Sequence, residues 1–165
     1  MKKIILLILN FCCFFASCQR TEPEVFIIPK GFKGKVMVVF EKKNGVLPKL
    51  EKNRRVYEIP NNGILVTQSM ITEGFMSRQF YYIDSLNQRI PLKSFKNEKE
   101  AESYDEIGIF YSGRAGIYGN SGGLQSIIYQ EFIVSDYKNL NSFFTEDYKK
   151  QFHKKLEQAV GYEIK

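Results

Sequence analysis

Histidine, cysteine and tryptophan are nearly missing from this chain of 165 residues: it has one His, three Cys and no Trp. A zinc site needs about four Cys, His or carboxylate ligands, so the usual Cys/His frameworks cannot be assembled. There is no G-x-x-x-x-G-K-[ST] segment and no G-x-G-x-x-G after a strand, so no nucleotide or dinucleotide cofactor is implied. No cofactor and no metal is expected. Long hydrophobic runs are also scarce. The one at the start, Ile4 to Phe15 with Asn10 inside it, covers about a dozen residues. A bilayer span needs about 20.

That run sits in a recognisable setting. Lys2 and Lys3 precede it, Ala16 and Ser17 follow, and Cys18 comes next. A charged start, a short apolar stretch and small residues describe an export signal. Phe15-Ala16-Ser17-Cys18 resembles the lipobox of bacterial lipoproteins, in which the Cys is acylated and becomes the new N-terminus. Phe15 stands where Leu, Val or Ile is usual. The plainer alternatives are a signal cut near Ser17 or an uncleaved anchor. On the lipoprotein reading, residues 1–17 leave and Cys18 carries lipid. Each buried CH₂ contributes about 0.8 kcal/mol, so two or three acyl chains hold the protein firmly to a membrane. Cys12 and Cys13 depart with the signal and Cys18 is consumed, so no disulfide can form. The expected location is the bacterial cell envelope, by lipid anchor, in the outer membrane.

Charge excludes little. The whole chain has 24 Lys+Arg and 18 Asp+Glu. Without residues 1–17 it keeps 22 bases and 18 acids, a net +4. The bases are scattered and the chain carries an export signal, so a solvated basic surface is expected rather than nucleic-acid binding.

What is abundant is aromatic and β-branched: 14 Phe and 10 Tyr, in short apolar runs. Residues 18–24 read as lipidated Cys and tether, about 20 Å long at roughly 3.3 Å per extended residue. Residues 25–165 read as one β-rich domain. Val25 to Ile28 and Lys35 to Phe40 are strand signals. Lys43-Asn44-Gly45 is a hairpin cue, and Pro48 to Asn53 is polar and loop-like. Arg55 to Ile59 and Ile64 to Gln68 flank Pro60-Asn61-Asn62-Gly63 as a second hairpin. Gln79 to Ile83 can pair with Arg89 to Leu92 across a turn that takes in Asp84. Asn97 to Asp105 is a short helix or loop. Ile107 to Tyr111 and Gln125 to Val134 are strands on either side of a Gly-rich loop. The expected fold is mainly β: an antiparallel β-sandwich or partial barrel with one C-terminal amphipathic α-helix.

That helix is expected at about 145–160. Tyr148, Phe152, Leu156, Ala159 and Val160 fall on one side, Thr145 can cap the start, and Gly161 suits the stop. The stripe is narrow, which favours packing on the sheet over lying on a membrane.

Three pieces together carry a resemblance. They are Phe26 to Gly34 with the strand to Phe40, Arg55 to Pro60 with Gly63-Ile64-Leu65, and Phe80-Tyr81-Tyr82-Ile83-Asp84. In this order they resemble a family of small bacterial secreted lipoproteins whose domain has no assigned function. The resemblance covers most of residues 25–134 and implies no catalytic residue. The arrangement is also similar to transthyretin-like sandwiches at the level of fold.

Catalytic constellations fail on inspection. Gly119-Asn120-Ser121-Gly122-Gly123 resembles the nucleophile motif of chymotrypsin-like proteases, but that chemistry needs a His and an Asp earlier in the chain. The single His153 comes later, on the edge of the helix stripe, where a structural role is expected. Asp84, Asp105, Glu106 and Asp136 are too dispersed to suggest paired carboxylates, and Asp84 suits its turn. The remaining candidate is the loop Ser112 to Leu124, with glycines at 113, 116, 119, 122 and 123. Gly density permits close approach of a partner, while Arg and Tyr dominate binding hot spots. Ser112, Gly113, Arg114, Gly116, Tyr118 and Asn120 are therefore the candidate binding residues. Two functions stay open: a non-enzymatic module binding a partner protein or envelope component, and a cell-envelope hydrolase using carboxylates.

Overall fold

Two runs in which nearly every side chain is apolar, Val25–Ile28 and Val36–Phe40, set the architecture. Alternation with a period of two marks a strand with one wet face, whereas an unbroken run marks a strand buried on both. Both runs are central strands in the computed structural model, which describes residues 23–72, 77–119 and 125–164. The strands are β1 (Glu24–Pro29), β2 (Gly34–Phe40), β3 (Lys49–Glu51), β4 (Arg54–Glu58), β5 (Ile64–Val66), β6 (Arg78–Ile83), β7 (Arg89–Leu92), β8 (Gly108–Tyr118) and β9 (Ile127–Ser135). The helices are α1 (Glu98–Glu102) and α2 (Glu146–Val160), with a 3₁₀ turn at Leu140–Phe144.

The first sheet has the order β3-β4-β1-β6-β7 and the second β5-β2-β9-β8. The mainly-β sandwich and its C-terminal helix are as the sequence leads one to expect. The sheets are mixed rather than purely antiparallel. β1 runs parallel to β4 and β6, and β2 runs parallel to β5. The reason lies in the connections. β1 and β2 belong to different sheets, as do β4 and β5, so each link crosses the sandwich instead of folding back. Pro60–Gly63 is thus a crossover, closed by Gly63 N–H to the Pro60 carbonyl at 2.9 Å, and not the hairpin expected there. The Lys43-Asn44-Gly45 turn also forms, but Val46 leaves it to bridge Thr67 in parallel fashion. The polar stretch Pro48 to Asn53 contains strand β3. It returns into β4 through Lys52 and Asn53, both left-handed at φ 48° and 60°, as a two-residue hairpin turn requires.

The β6–β7 and β8–β9 hairpins form as expected. Asp84 serves its turn, where Oδ1 accepts from the N–H groups of Leu86 and Gln88. α1 is capped by Asn97, whose Oδ1 accepts from Glu100 N–H at 3.0 Å.

Between the sheets, Phe26 stacks on Phe80 at 5.0 Å, and Phe132 meets both edge-on at 5.1 and 5.0 Å. Such pairs add about 0.5–1.5 kcal/mol each beyond area burial. α2 lies on the outer face of the second sheet. Phe152, Leu156 and Val160 pack there with Met37, Val39, Ile64 and Ile127, which is the sheet-packed arrangement. Thr145 Oγ1 accepts from Tyr148 N–H, and Gly161 ends the helix at φ 83°. A third cluster joins Phe95, Phe110, Ile133, Leu140 and Ala101 of α1. Gly108 permits it: a Cβ there would lie 2.3 Å from Phe95 Cε2. No helix among the described residues is long and apolar enough to cross a membrane.

Two outcomes test this packing. Phe152→Ala should cost about 3–5 kcal/mol in urea unfolding, the usual penalty for emptying a buried aromatic site. A cost under about 0.5 kcal/mol, as at a surface position, would mean that α2 does not pack. Tyr82 supplies the second. Its hydroxyl donates to the Phe32 carbonyl at 2.6 Å, and burial pushes its phenol up to about 12. The unfolded phenol ionises near pH 10. The proton-linked stability from Tyr82 is therefore whole below about pH 10 and is lost as pH rises through about 12. Urea unfolding at stepped pH should show this decline, and Tyr82→Phe should flatten it.

Candidate functional site

The candidate binding residues lie mostly in a strand. β8 keeps register with β9 up to Phe110↔Ile133 and resumes at Arg114↔Glu131. Tyr111, Ser112 and Gly113 thus oppose Phe132 alone, which makes a bulge. Tyr111 there has φ 57°, uncommon for an aromatic residue. Beyond the bulge the ladder continues through Tyr118↔Ile127. The loop expected from Ser112 onward is therefore corrected: Ser112 to Tyr118 are strand. Glycine count misleads here because β9 supplies the ladder bonds. The Tyr129 ring lies over Gly116, its hydroxyl 3.4 Å from where a Cβ would stand, an ordinary contact distance. Asn120 and Ser121 lie outside the described residues.

Each remaining candidate has a defined place. Ser112 Oγ meets Ser94 Oγ at 3.0 Å. Gly113 faces open space, with nothing within 4 Å of an added Cβ. The Arg114 guanidinium lies 4.0 Å over the Tyr111 ring, a cation–π contact. The Tyr111 phenol is pushed up to about 12, first by burial and then by its hydrogen bond to Glu98. Arg114, Gly116 and Tyr118 sit opposite Glu131, Tyr129 and Ile127, on the face that α2 covers.

On that face a groove of about 190 Å³ runs between α2 and the sheet, lined among others by Tyr118, His153, Phe152, Lys35 and Lys149. Tyr118 is 39% exposed. Its hydroxyl meets His153 Nδ1 at 3.1 Å, and its ring abuts Tyr129 edge-on at 6.3 Å. His153 Nε2 stands 3.1 Å from Glu157 Oε1, which also accepts from Ile164 N–H at 3.2 Å. In the tautomer whose Nε2–H donates to the Glu157 carboxylate, Nδ1 accepts from the Tyr118 phenol. A phenol, an imidazole and a carboxylate are thereby joined in one chain that ties the far end of β8 to α2. Lys35 pairs with Glu131 at 2.6 Å and lies over the Phe152 ring. Burial, and then the Glu131 charge, raises the Tyr129 phenol.

Sequence reasoning named Tyr118 but left His153 as a structural edge residue and did not join the two, which are 35 positions apart. The i,i+4 spacing of His153 and Glu157 on one helix was the available signal. Among the described residues no three His, Cys, Asp or Glu side chains converge as a metal site. The groove offers aromatic faces, paired ions and a hydrogen-bonding rim, which suit recognition.

Fold and groove together define a two-sheet β-sandwich with a helix-backed groove. The chain belongs to the family of unknown function DUF6843, whose model matches residues 20–144. The expected membership of a family whose domain has no assigned function is thus met, and the match ends before α2, so His153 and Glu157 lie beyond it. A solved structure of the same fold is that of a "Putative Lipoprotein from Bacillus anthracis". It is 15% identical, with a TM-score of 0.60, over 86% of this chain and 95% of that one. No curated protein matches.

Removing only the Tyr118 hydroxyl should leave the fold intact. Tyr118→Phe is expected to change stability by less than about 1 kcal/mol, the net worth of one hydrogen bond. It should shift the nitrogen NMR signal of His153 Nδ1. An unmoved signal would show that the contact does not form in solution.

Proposed function

We propose that this protein is an exported envelope lipoprotein, anchored through lipid on Cys18, that binds a partner protein or envelope component and does not catalyse. The observation that carries the reading is the position of Cys18. It closes a lipobox-like segment six residues before Glu24, where β1 begins. A mature chain starting there consists of a short tether and the folded domain. The likeness in fold to a protein described as a lipoprotein supports the same reading.

Binding, rather than chemistry, is favoured by the pairing of the polar groups around the groove. Lys35 is paired with Glu131, His153 with Glu157, and Arg114 covers Tyr111. Groups committed to one another in this way make a shaped, rigid surface. The binding face in this reading is the end of β8 beyond the bulge together with the exposed edge of α2. The membrane is the outer one, and separating the two membranes by density tests that placement.

Cys18→Ala should release the protein to the soluble fraction or leave it unprocessed. Intact-mass measurement of the native protein should give a chain that starts at Cys18 and carries lipid; a lipid-free chain starting at Gln19 would overturn the anchor. For the face, Arg114→Ala and Tyr118→Ala should each reduce partner capture from envelope extracts while leaving circular dichroism unchanged.

A further inference from the structure

The face of the first sheet that turns away from the second carries an apolar cluster of its own. Val25, Ile27 and Val56 are buried there, with Tyr81 and Ile83 packed against them. Among the described residues no helix packs into this cluster; α2 and α1 serve the two clusters of the second sheet. Among the described residues, it is the edge strands of the sheet itself that meet over this face. β3 and β7 are its two edge strands, four spacings apart. On a flat sheet that is roughly 19 Å at about 4.8 Å per strand. Yet Glu51 of β3 and Arg89 of β7 meet at 2.7 Å. Glu51 lies beside the start of β4 and Arg89 beside the end of β6, so they stand at diagonal corners. Strand twist lifts such corners toward one another, and the ion pair straps them together.

Beneath the strap is a cavity of about 520 Å³. That exceeds the groove at α2 and falls within the range of small-molecule sites, about 300–1,000 Å³. Val25 and Tyr81 give it an apolar wall, and Lys52, Arg54, Arg89, Gln79 and Glu51 complete it. Three cations thus face one carboxylate. Lys52 has no ion-pair partner among the described residues. Arg54 Nη1 donates to Gln79 Oε1 at 2.5 Å, and the Tyr81 hydroxyl donates to the same oxygen at 3.3 Å. The Gln79 oxygen is therefore occupied. Its amide hydrogens, the other guanidinium hydrogens of Arg54 and the Lys52 ammonium are left as donors. The site has an excess of donors, an excess of positive charge and an apolar wall.

We propose that this cavity binds a small organic acid, a carboxylate on an apolar body. The acid group takes the donors of Lys52 and Arg54, and the body lies on Val25 and Tyr81. Glu51 competes with the ligand for Arg89 and repels it, so the strap weakens binding of the anion. The site is remote from the β8–α2 face, and its success or failure is independent of the reading given for that face.

The test uses residues 19–165, which hold both sheets and all the buried clusters, with 2-naphthoate as probe and 2-naphthamide as its uncharged counterpart. Titration followed by amide NMR should place the naphthoate shifts on Val25, Gln79 and Tyr81, and naphthoate should bind at least about tenfold tighter than the amide, as one charge-assisted hydrogen bond provides. Lys52→Ala and Arg54→Ala should each weaken it by about tenfold. Glu51→Gln should strengthen it, and added salt should weaken it. Equal affinity for acid and amide, no binding of the acid, or shifts centred on Tyr118 and His153 would each overturn the proposal in the unaltered protein. So would Glu51→Gln and Arg54→Ala moving affinity in the same direction.

Discussion

Contact among Phe26, Phe80 and Phe132 holds the two sheets in one relation, and the rest of the molecule is arranged around it. Phe26 and Phe80 stack within the first sheet, and Phe132 closes on both from the second. Once these inward faces are joined, the outward faces need separate cover. The second sheet obtains it from α2, through Phe152, Leu156 and Val160. Over the first, among the described residues, its own edge strands meet. Concave surfaces arise beside both kinds of cover: a groove where a helix meets a strand end, and a cavity where a sheet bends over itself.

Buried charge reinforces the same joint. Glu24, 1% exposed at the start of β1, pairs with Arg78 at the start of β6 at 2.9 Å. The two positions are partners in register, so the pair fixes how β1 and β6 align. Removing Arg78 would strand the Glu24 charge away from water, which costs far more than the pair contributes. The bulge at Tyr111–Gly113 acts in the opposite sense, loosening register so that β8 can present Arg114 and Tyr118 beside α2.

Much of the fold was legible because it depends on short-range pattern. The strands at Val25–Ile28 and Val36–Phe40, the Asp84 turn and the 146–160 helix with its Thr145 and Gly161 caps could all be read directly. Strand partners could not, since Pro-Asn-Asn-Gly closes a hairpin and a crossover equally well. The unbroken apolarity of β1 and β2 did carry the information that both are central strands with parallel neighbours. Strand β8 was misjudged because glycines at 113 and 116 read as loop when the neighbouring strand decides otherwise. Tyr118 with His153, and Glu51 with Arg89, are joined only by tertiary structure, so no spacing announces them.

The place of β1 has a mechanical consequence. It is the middle strand of the first sheet, flanked on both sides by strands running in its own direction. A membrane anchor upstream would pull on it along its axis. Tension in that direction loads the hydrogen bonds to β4 and β6 in shear, all together, instead of peeling them one at a time. A domain tethered through an edge hairpin would unzip under a far smaller force than one tethered through such a strand.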